Sequence, residues 1–201
     1  VTRCLKIVSW NLLHSVGATL EQVEELIHRE APDLLLMQET TAGIDGLPER
    51  VAGHYARNPL PGRGHGLAAW SPLPFSDPPR QVALQPGLFV KRICQLIALD
   101  GVTIANVHLS HGQIMNRRQL RRIAGVLPAR AAIIGDCNMV GPPLLPGFRD
   151  VGPRDPTHDM AEMLPLRLDR CFVRGLDCAA ASVLDRIGSD HHPIVVRLTK
   201  A

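Results

Sequence analysis

The chain has 201 residues, of which 45% are apolar, enough for one large domain with a substantial core, and it contains no apolar run of roughly 18 residues, so no membrane-crossing helix is expected. A net charge of +3 is compatible with an anionic substrate but lacks the dense basic patch of a dedicated nucleic-acid binder, and an aromatic content of 3% leaves little surface for stacking bases.

Leu5 to Trp10 is a short apolar run that reads as a strand. Thr19 and Gln22 have the spacing of a capping box and open a helix. Its apolar stripe is Leu20, Val23, Leu26 and Ile27, with Glu21, Glu24, Glu25 and Arg29 facing water and Ala31-Pro32 as the stop. Leu34 to Met37 is uniformly apolar and predicts a strand buried on both faces. Further strands are predicted at Gly66 to Trp70, Val82 to Leu84, Leu88 to Leu99 and Val102 to His108, with Asp100-Gly101 as a hairpin turn between the last two. Pro72, Pro74, Pro78 and Pro79 mark a turn-rich connection. A second helix is expected from about Ile114 to Leu127, with Leu120, Ile123, Val126 and Leu127 inward and Arg117, Arg118, Arg121 and Arg122 mostly elsewhere. Ala131 to Gly135 reads as another buried strand, and residues 141–165, with six prolines and three glycines, as a long irregular loop. Leu168 to Val173, Cys178 to Leu184 and His192 to Leu198 complete the strand set. This order predicts an α/β fold in which two β-sheets pack face to face with helices outside.

The five cysteines are scattered, odd in number and form no CxxC pair, so they read as small buried hydrophobes in a reducing compartment. The chain opens on a strand-like segment without a signal-peptide pattern, and the cytoplasm is the expected location.

Polar residues gather at the ends of the predicted strands. Asn11 follows the first, Glu39 the second, and Asn106 and His108 end the strand in ANVHL. Asp136 and Asn138 follow IIG, Asp169 opens LDRCFV, and Asp190 and His191 precede the last strand. Strand ends on one rim of a sheet are rigid places from which to assemble a site. The residue types suit a hard cation such as Mg²⁺ or Mn²⁺, with carboxylates from Glu39 and Asp190 and a carbonyl oxygen from Asn11. A zinc centre would instead draw on His108, His111, His191 and His192. His14 and His192 read equally well as surface or supporting residues. The plainer account of the four arginines is a solvated helix face, and the sharper one is a surface that tracks phosphates, with Arg92 and Arg63 as further candidates.

SWN, MQE, NVHL, GDCN, LDRCFV and SDHHP, in this order from Ile7 to Val196, resemble the endonuclease/exonuclease/phosphatase superfamily with its DNase I-like fold. GLAAWS at residues 66–71 resembles the strand that follows the second metal motif in that family. The resemblance implies a four-layer α/β sandwich of two mixed sheets, a single catalytic domain over residues 1–201, and a Mg²⁺- or Mn²⁺-dependent hydrolase. It implies that Glu39, Asn11 and Asp190 hold the metal and that Asp136 orients or deprotonates the attacking water. Asn138, His108 and Asn106 would hold the phosphate, and His191 would be the catalytic histidine with Asp169 as its carboxylate partner. Leu13 stands where some DNA-repair members carry an acidic residue, and the scarcity of aromatics argues against lesion-probing loops.

Three functions compete at this point: a phosphodiesterase acting on DNA or RNA, a phosphatase or phosphodiesterase acting on a small or lipid-derived phosphoester, and a non-catalytic module that binds phosphate ligands. The superfamily hosts both kinds of enzyme, so fold does not choose between them.

Overall fold

The computed structural model describes residues 4–85, 90–160 and 164–200. Fourteen strands and three α-helices follow one another among these residues. The first half runs β1 (Leu5–Asn11), α1 (Leu20–Glu30), β2 (Leu34–Thr41), a 3-10 turn at Ala42–Ile44, α2 (Leu47–Arg50), β3 (His54–Pro59), β4 (His65–Ser71), β5 (Asp77–Ala83), β6 (Ile93–Leu99) and β7 (Val102–His108). The second half runs α3 (Gln113–Val126), β8 (Ala131–Asp136), β9 (Arg149–Asp150), β10 (His158–Met160), β11 (Leu164–Leu166), β12 (Asp169–Arg174), β13 (Leu176–Val183) and β14 (Ile194–Lys200).

Twelve of these strands form two six-stranded sheets, ordered β13-β14-β1-β2-β4-β3 and β5-β6-β7-β8-β12-β9, while β10 and β11 form a separate ribbon. Each sheet is antiparallel except for one central pair, β1 with β2 and β7 with β8. A parallel neighbour requires a crossover, and α1 and α3 supply it. The C-terminal ends of the two strands in each parallel pair therefore lie side by side.

Side-chain alternation explains the layering. Ile7, Leu34, Leu36, Ile104 and Ile134 point between the sheets. Their neighbours Val8, Leu35 and Met37 point outward onto Val23, Leu26 and Ile27 of α1. On the other side Val107 and Ile133 pack on Leu120 and Ile123 of α3. The central strands are covered on both faces, which is why they read as unbroken apolar runs. The four layers are helix, sheet, sheet and helix.

Local chemistry sets the boundaries. Thr19 Oγ1 accepts from Gln22 N at 3.3 Å and Gln22 Oε1 accepts from Thr19 N at 3.0 Å, closing the capping box of α1. Asp100 and Gly101 both have positive φ, 49° and 72°, as the two-residue turn between β6 and β7 requires.

The structure departs from the sequence reading in several places, beginning with α2 and β3, which the sequence reading did not predict. Pro78 and Pro79 lie inside β5, an edge strand that tolerates the missing donors beside a register shift between Asp77 and Arg80. The strand expected to start at Leu88 begins at Ile93, and residues 86–89 lie outside the described ones. The segment 141–165 contains β9, β10 and the start of β11, so it is not irregular throughout. Val126 is exposed, because α3 turns Asn116 and Gln119 inward in its N-terminal half instead. No helix among the described residues is long and apolar enough to cross a membrane.

Candidate active site

One cleft of about 460 Å³ opens where the two parallel pairs end, lined by Asn11, Glu39, His108, Asp136, Asn138, Asp190 and His191 together with Leu13, His111 and His158. Asn11 and Glu39 come from the ends of β1 and β2 in one sheet, and His108 and Asp136 from the ends of β7 and β8 in the other. His108 and Asp136 are register partners, and so are Asp136 and Asp169 of β12.

Asp136 is the hub. Its Oδ1 accepts from Asn138 N at 2.9 Å, and its Oδ2 accepts from Asn11 Nδ2 at 3.0 Å and Asn138 Nδ2 at 3.2 Å. His108 Nε2 stands 3.3 Å and His191 Nε2 3.7 Å from the same Oδ2. Burial raises the Asp136 carboxyl above the ordinary carboxylate range, opposed by the charge of His191. Burial also holds His108 well below the usual imidazole pKa, reinforced by the charge of Arg92, so His108 is neutral near pH 7.

His191 is held from several sides. Its Nδ1 lies 2.8 Å from Asp169 Oδ2, its backbone N–H donates to Ser189 Oγ at 3.1 Å, and its carbonyl accepts from Trp10 Nε1 at 3.1 Å. Ser189 in turn donates to the carbonyl of Asn11 at 2.7 Å, tying the loop before β14 to the end of β1. Burial works against a charge on His191, but Asp169 and Asp136 outweigh it and lift the pKa to about 10. The ring is therefore an imidazolium at neutral pH. Asp169 is fully buried, and its Oδ1 has no hydrogen-bond partner among the described residues.

Glu39 sits on a bulge. The pairing of β2 with β4 shifts between Gln38 and Thr40, and Glu39 takes a left-handed φ of 55°. The bulge turns its side chain out of the strand alternation into the cleft. Its Oε2 accepts from His14 N at 3.1 Å and also contacts His14 Nδ1. Burial alone would raise its pKa, but the His14 bonds prevail and Glu39 stays ionised. Among the described residues its other oxygen, Oε1, accepts no hydrogen bond and has His108 Nδ1 at 3.8 Å, beyond hydrogen-bond range. A desolvated carboxylate with an open oxygen facing a cleft fits a divalent cation.

The structure thus brings together eight of the nine residues singled out from sequence. Asn106, expected to contact substrate, does not reach the cleft. It is fully buried between the sheets, where its Nδ2 donates to Met37 O, Ala68 O and Gln95 Oε1 and its Oδ1 accepts from Gln38 Nε2. Asn11 faces Asp136 with its amide, while its Oδ1 accepts from Leu13 N at 3.1 Å. His192 leaves the cleft for Leu184 O and Asp159, so a zinc set that includes it is not assembled.

Sequence reasoning missed His158, whose Nε2 is 3.4 Å from Asp190 Oδ2 and whose ring meets that of His191 edge-on at 4.5 Å. His158, Asp190 and His191 present ligand atoms within 4.8 Å of one another, close enough to share one metal ion. The only sequence signal for His158 was a polar Thr-His-Asp step within a proline-rich stretch. Arg92 is buried at the site, with no partner for its Nε among the described residues, and its charge acts on Asp136 and Glu39. Arg117 is committed to the carbonyls of Gln113, Val140 and Pro142, and Arg122 to that of Ala83.

Residues 8–191 match the family model described as Endonuclease/Exonuclease/phosphatase family. No curated protein sequence matches the chain. Among solved structures, an endonuclease/exonuclease/phosphatase from Bacteroides vulgatus superposes with a TM-score of 0.80 at 15% identity, covering 99% of this chain and 100% of the other. One from Beutenbergia cavernae gives 0.76 at 20% identity, covering 99% and 72%. D. rerio TDP2 complexed with a single-strand DNA product gives 0.76 at 14% identity, covering 98% and 99%. At these identities the likeness is one of fold.

Proposed function

Since the chain belongs to the endonuclease/exonuclease/phosphatase family, we propose that it forms a single catalytic domain that hydrolyses a phosphodiester bond in a nucleic-acid strand with a divalent cation, Mg²⁺ or Mn²⁺. The observation that carries this reading is the meeting of Asp136 with His108 and His191 on a single carboxylate oxygen inside one cleft.

The chemistry follows from charge. A phosphodiester repels nucleophiles, so a site must offset its negative oxygens, align a water and stabilise the leaving oxygen. Asp136, held by three donors from Asn11 and Asn138, orients the water and takes its proton. His191 places a cationic Nε2 beside the phosphoryl oxygens as charge builds there, and Asp169 keeps that ring charged and fixed. His108 holds a non-bridging oxygen, while Asn138, whose Nδ2 donates to Leu109 O at 3.0 Å and to Asp136 Oδ2 at 3.2 Å, serves by fixing Asp136 rather than by gripping the phosphate. Glu39 and the Asn11 carbonyl would hold the cation, with Asp190 as a second carboxylate. When bound, that ion supplies Lewis-acid neutralisation of the phosphate.

The choice of a nucleic-acid strand draws support from a groove that adjoins the cleft through Gln113 and Val140. Ile114, Arg117, Arg118, Arg121 and Leu144 complete its lining. α3 carries no carboxylate, and of its four arginines Arg118 and Arg121 line this groove while Arg117 and Arg122 are bonded to backbone carbonyls, so Arg118 and Arg121 are the ones suited to meet phosphates. The DNA product held by the D. rerio relative is consistent with the same class. A small or lipid-derived phosphoester is the second reading, favoured by the exposed apolar side chains of Ile114, Val140 and Leu144 beside the same cleft.

Incubation of the chain with single-stranded oligonucleotides and with a chromogenic phosphodiester, with and without chelator, tests both. Oligonucleotide cleavage that stops with chelator is the expected result. Turnover of the chromogenic ester with intact DNA and RNA would select the second reading, and no turnover of either would leave a binding module.

A further inference from the structure

We infer that His14 is a nitrogen ligand of the cation held by Glu39, and that this ligand makes the site favour Mn²⁺ and Co²⁺ over Mg²⁺. The inference deepens the metal-dependent reading and rests on it.

The local chain points to this role. Leu13 supplies no acidic neighbour for Asn11, but its left-handed φ of 56° turns the chain back so that the next residue meets Glu39. His14 donates its backbone N–H to Glu39 Oε2 at 3.1 Å and sets its Nδ1 on the same oxygen. A carboxylate oxygen and an imidazole nitrogen thus face one another across a cleft rim, while Glu39 Oε1 stays open. The His14 ring stacks on His65, with centroids 4.0 Å apart and planes 21° apart, which restrains its orientation from behind. Its side chain is 42% exposed, so the two donors are open to an ion arriving from solvent.

The wider surroundings agree. Of nine histidines in the sequence, His108, His111, His158 and His191 line the cleft, His14 lines the adjoining depression that shares Glu39 and Leu13, and His65 backs His14. Mg²⁺ demands oxygen donors and gains little from imidazole, whereas Mn²⁺ and more strongly Co²⁺ accept nitrogen readily. A site whose principal carboxylate is flanked by imidazole on both sides, His14 at Oε2 and His108 at Oε1, is built for the second group.

Calorimetric titration of the whole chain with Mg²⁺, Mn²⁺ and Co²⁺ tests the inference, alongside His14→Ala, His14→Gln and Glu39→Ala, each verified as folded by its thermal melt. The wild type should bind Mn²⁺ at least about tenfold more tightly than Mg²⁺. His14→Gln, which retains a side-chain donor to Glu39, should lose most of that margin while its Mg²⁺ affinity stays within about threefold. Pulsed electron paramagnetic resonance on the Mn²⁺ form should show imidazole ¹⁴N modulation that weakens in both His14 variants. Equal affinity of the wild type for Mg²⁺ and Mn²⁺, or a full Mn²⁺ margin in His14→Gln, would overturn the role of His14, leaving it as a hydrogen-bond donor to Glu39. Retention of metal binding by Glu39→Ala would instead overturn the underlying metal placement, so the two failures are distinct.

Discussion

At the scale of single residues, the site divides its work between two ionisable groups whose environments push them apart. Asp136 must be ionised to take a proton from water, and burial makes its ionisation harder than in a free carboxylate. Activity should therefore fall on acidification above the pH at which an exposed Asp would titrate. His191 must stay protonated, and its pKa of about 10 rests on Asp169 and Asp136 against the cost of burial. Removing the Asp169 charge removes a stabiliser of the imidazolium, so the His191 pKa must drop. In Asp169→Asn the alkaline limb of the kcat profile should accordingly move to lower pH by more than about one unit, and an unmoved limb would deny His191 its charged role. Asp136→Asn and His191→Ala should each lower turnover by at least about a hundredfold without unfolding the chain, since both side chains act on the reacting atoms. Thermal melts recorded beside the rates separate lost chemistry from lost structure. Most of these side chains were legible in the sequence because a polar residue closing an apolar run has few structural reasons to be there. His158 was not, because its segment carries no apolar period to mark where the chain turns inward.

At the scale of elements, the geometry depends on backbone features that side-chain patterns do not announce. The bulge at Glu39 could not be read from MQETT, because four polar residues in a row after the apolar stretch show no break in pattern, and the shift appears only in register. Gly135 is a second case. It lies in β8 with a φ of 139°, and a Cβ there would come within 2.2 Å of Val107 O on the adjacent strand. Only glycine lets β7 and β8 approach closely enough to set His108 against Asp136. Gly135→Ala should cost about 3 kcal/mol in urea denaturation and depress activity with it. The short strand β9 was equally invisible, since its two residues have no pattern, yet Asp150 anchors the segment through Arg167 at 2.7 and 2.9 Å and Arg170 at 2.9 Å. Burial raises the pKa of Asp150, but the two guanidinium groups prevail and depress it. A depressed folded pKa contributes stability that is complete above the unfolded value of about 3.9 and is lost as pH falls through the folded value. Asp150→Asn should remove about 2 kcal/mol at pH 7, and the gap between mutant and wild type should close below about pH 4. A gap that persisted there would show that packing, not charge, was lost.

At the scale of the whole molecule, the two-sheet architecture was legible because both faces of the central strands are buried and uniformly apolar, whereas the edge strand β3, whose residues are at most half-buried, was not. What holds one sheet in register against the other was not, because it consists of polar residues that the sequence assigns to the surface or to the site. Ser9 and Gln38 from one sheet meet Asn106 and Gln95 from the other, with Gln38 Nε2 donating to Ser9 Oγ at 3.1 Å and to Asn106 Oδ1 at 2.8 Å. Gln95 Nε2 carries the chain of bonds on to Ala56 O and Asn58 Oδ1 at 2.9 Å each. Apolar side chains would let the sheets slide at little cost, whereas directional bonds in a dry interior fix one offset. Gln38 precedes Glu39, and Asn106 lies two residues before His108, so the same offset sets the distance between the carboxylate of one sheet and the imidazole of the other. Asn106→Ala and Gln38→Ala should each cost about 2 to 3 kcal/mol, because each leaves buried donors or acceptors without partners. The double variant should cost less than the two together by at least about 1 kcal/mol, since the second change removes groups that the first had already orphaned. Turnover should fall in both single variants although neither side chain reaches the cleft. Additive stabilities with unchanged kcat would mean that the apolar core alone holds the two halves of the site in register.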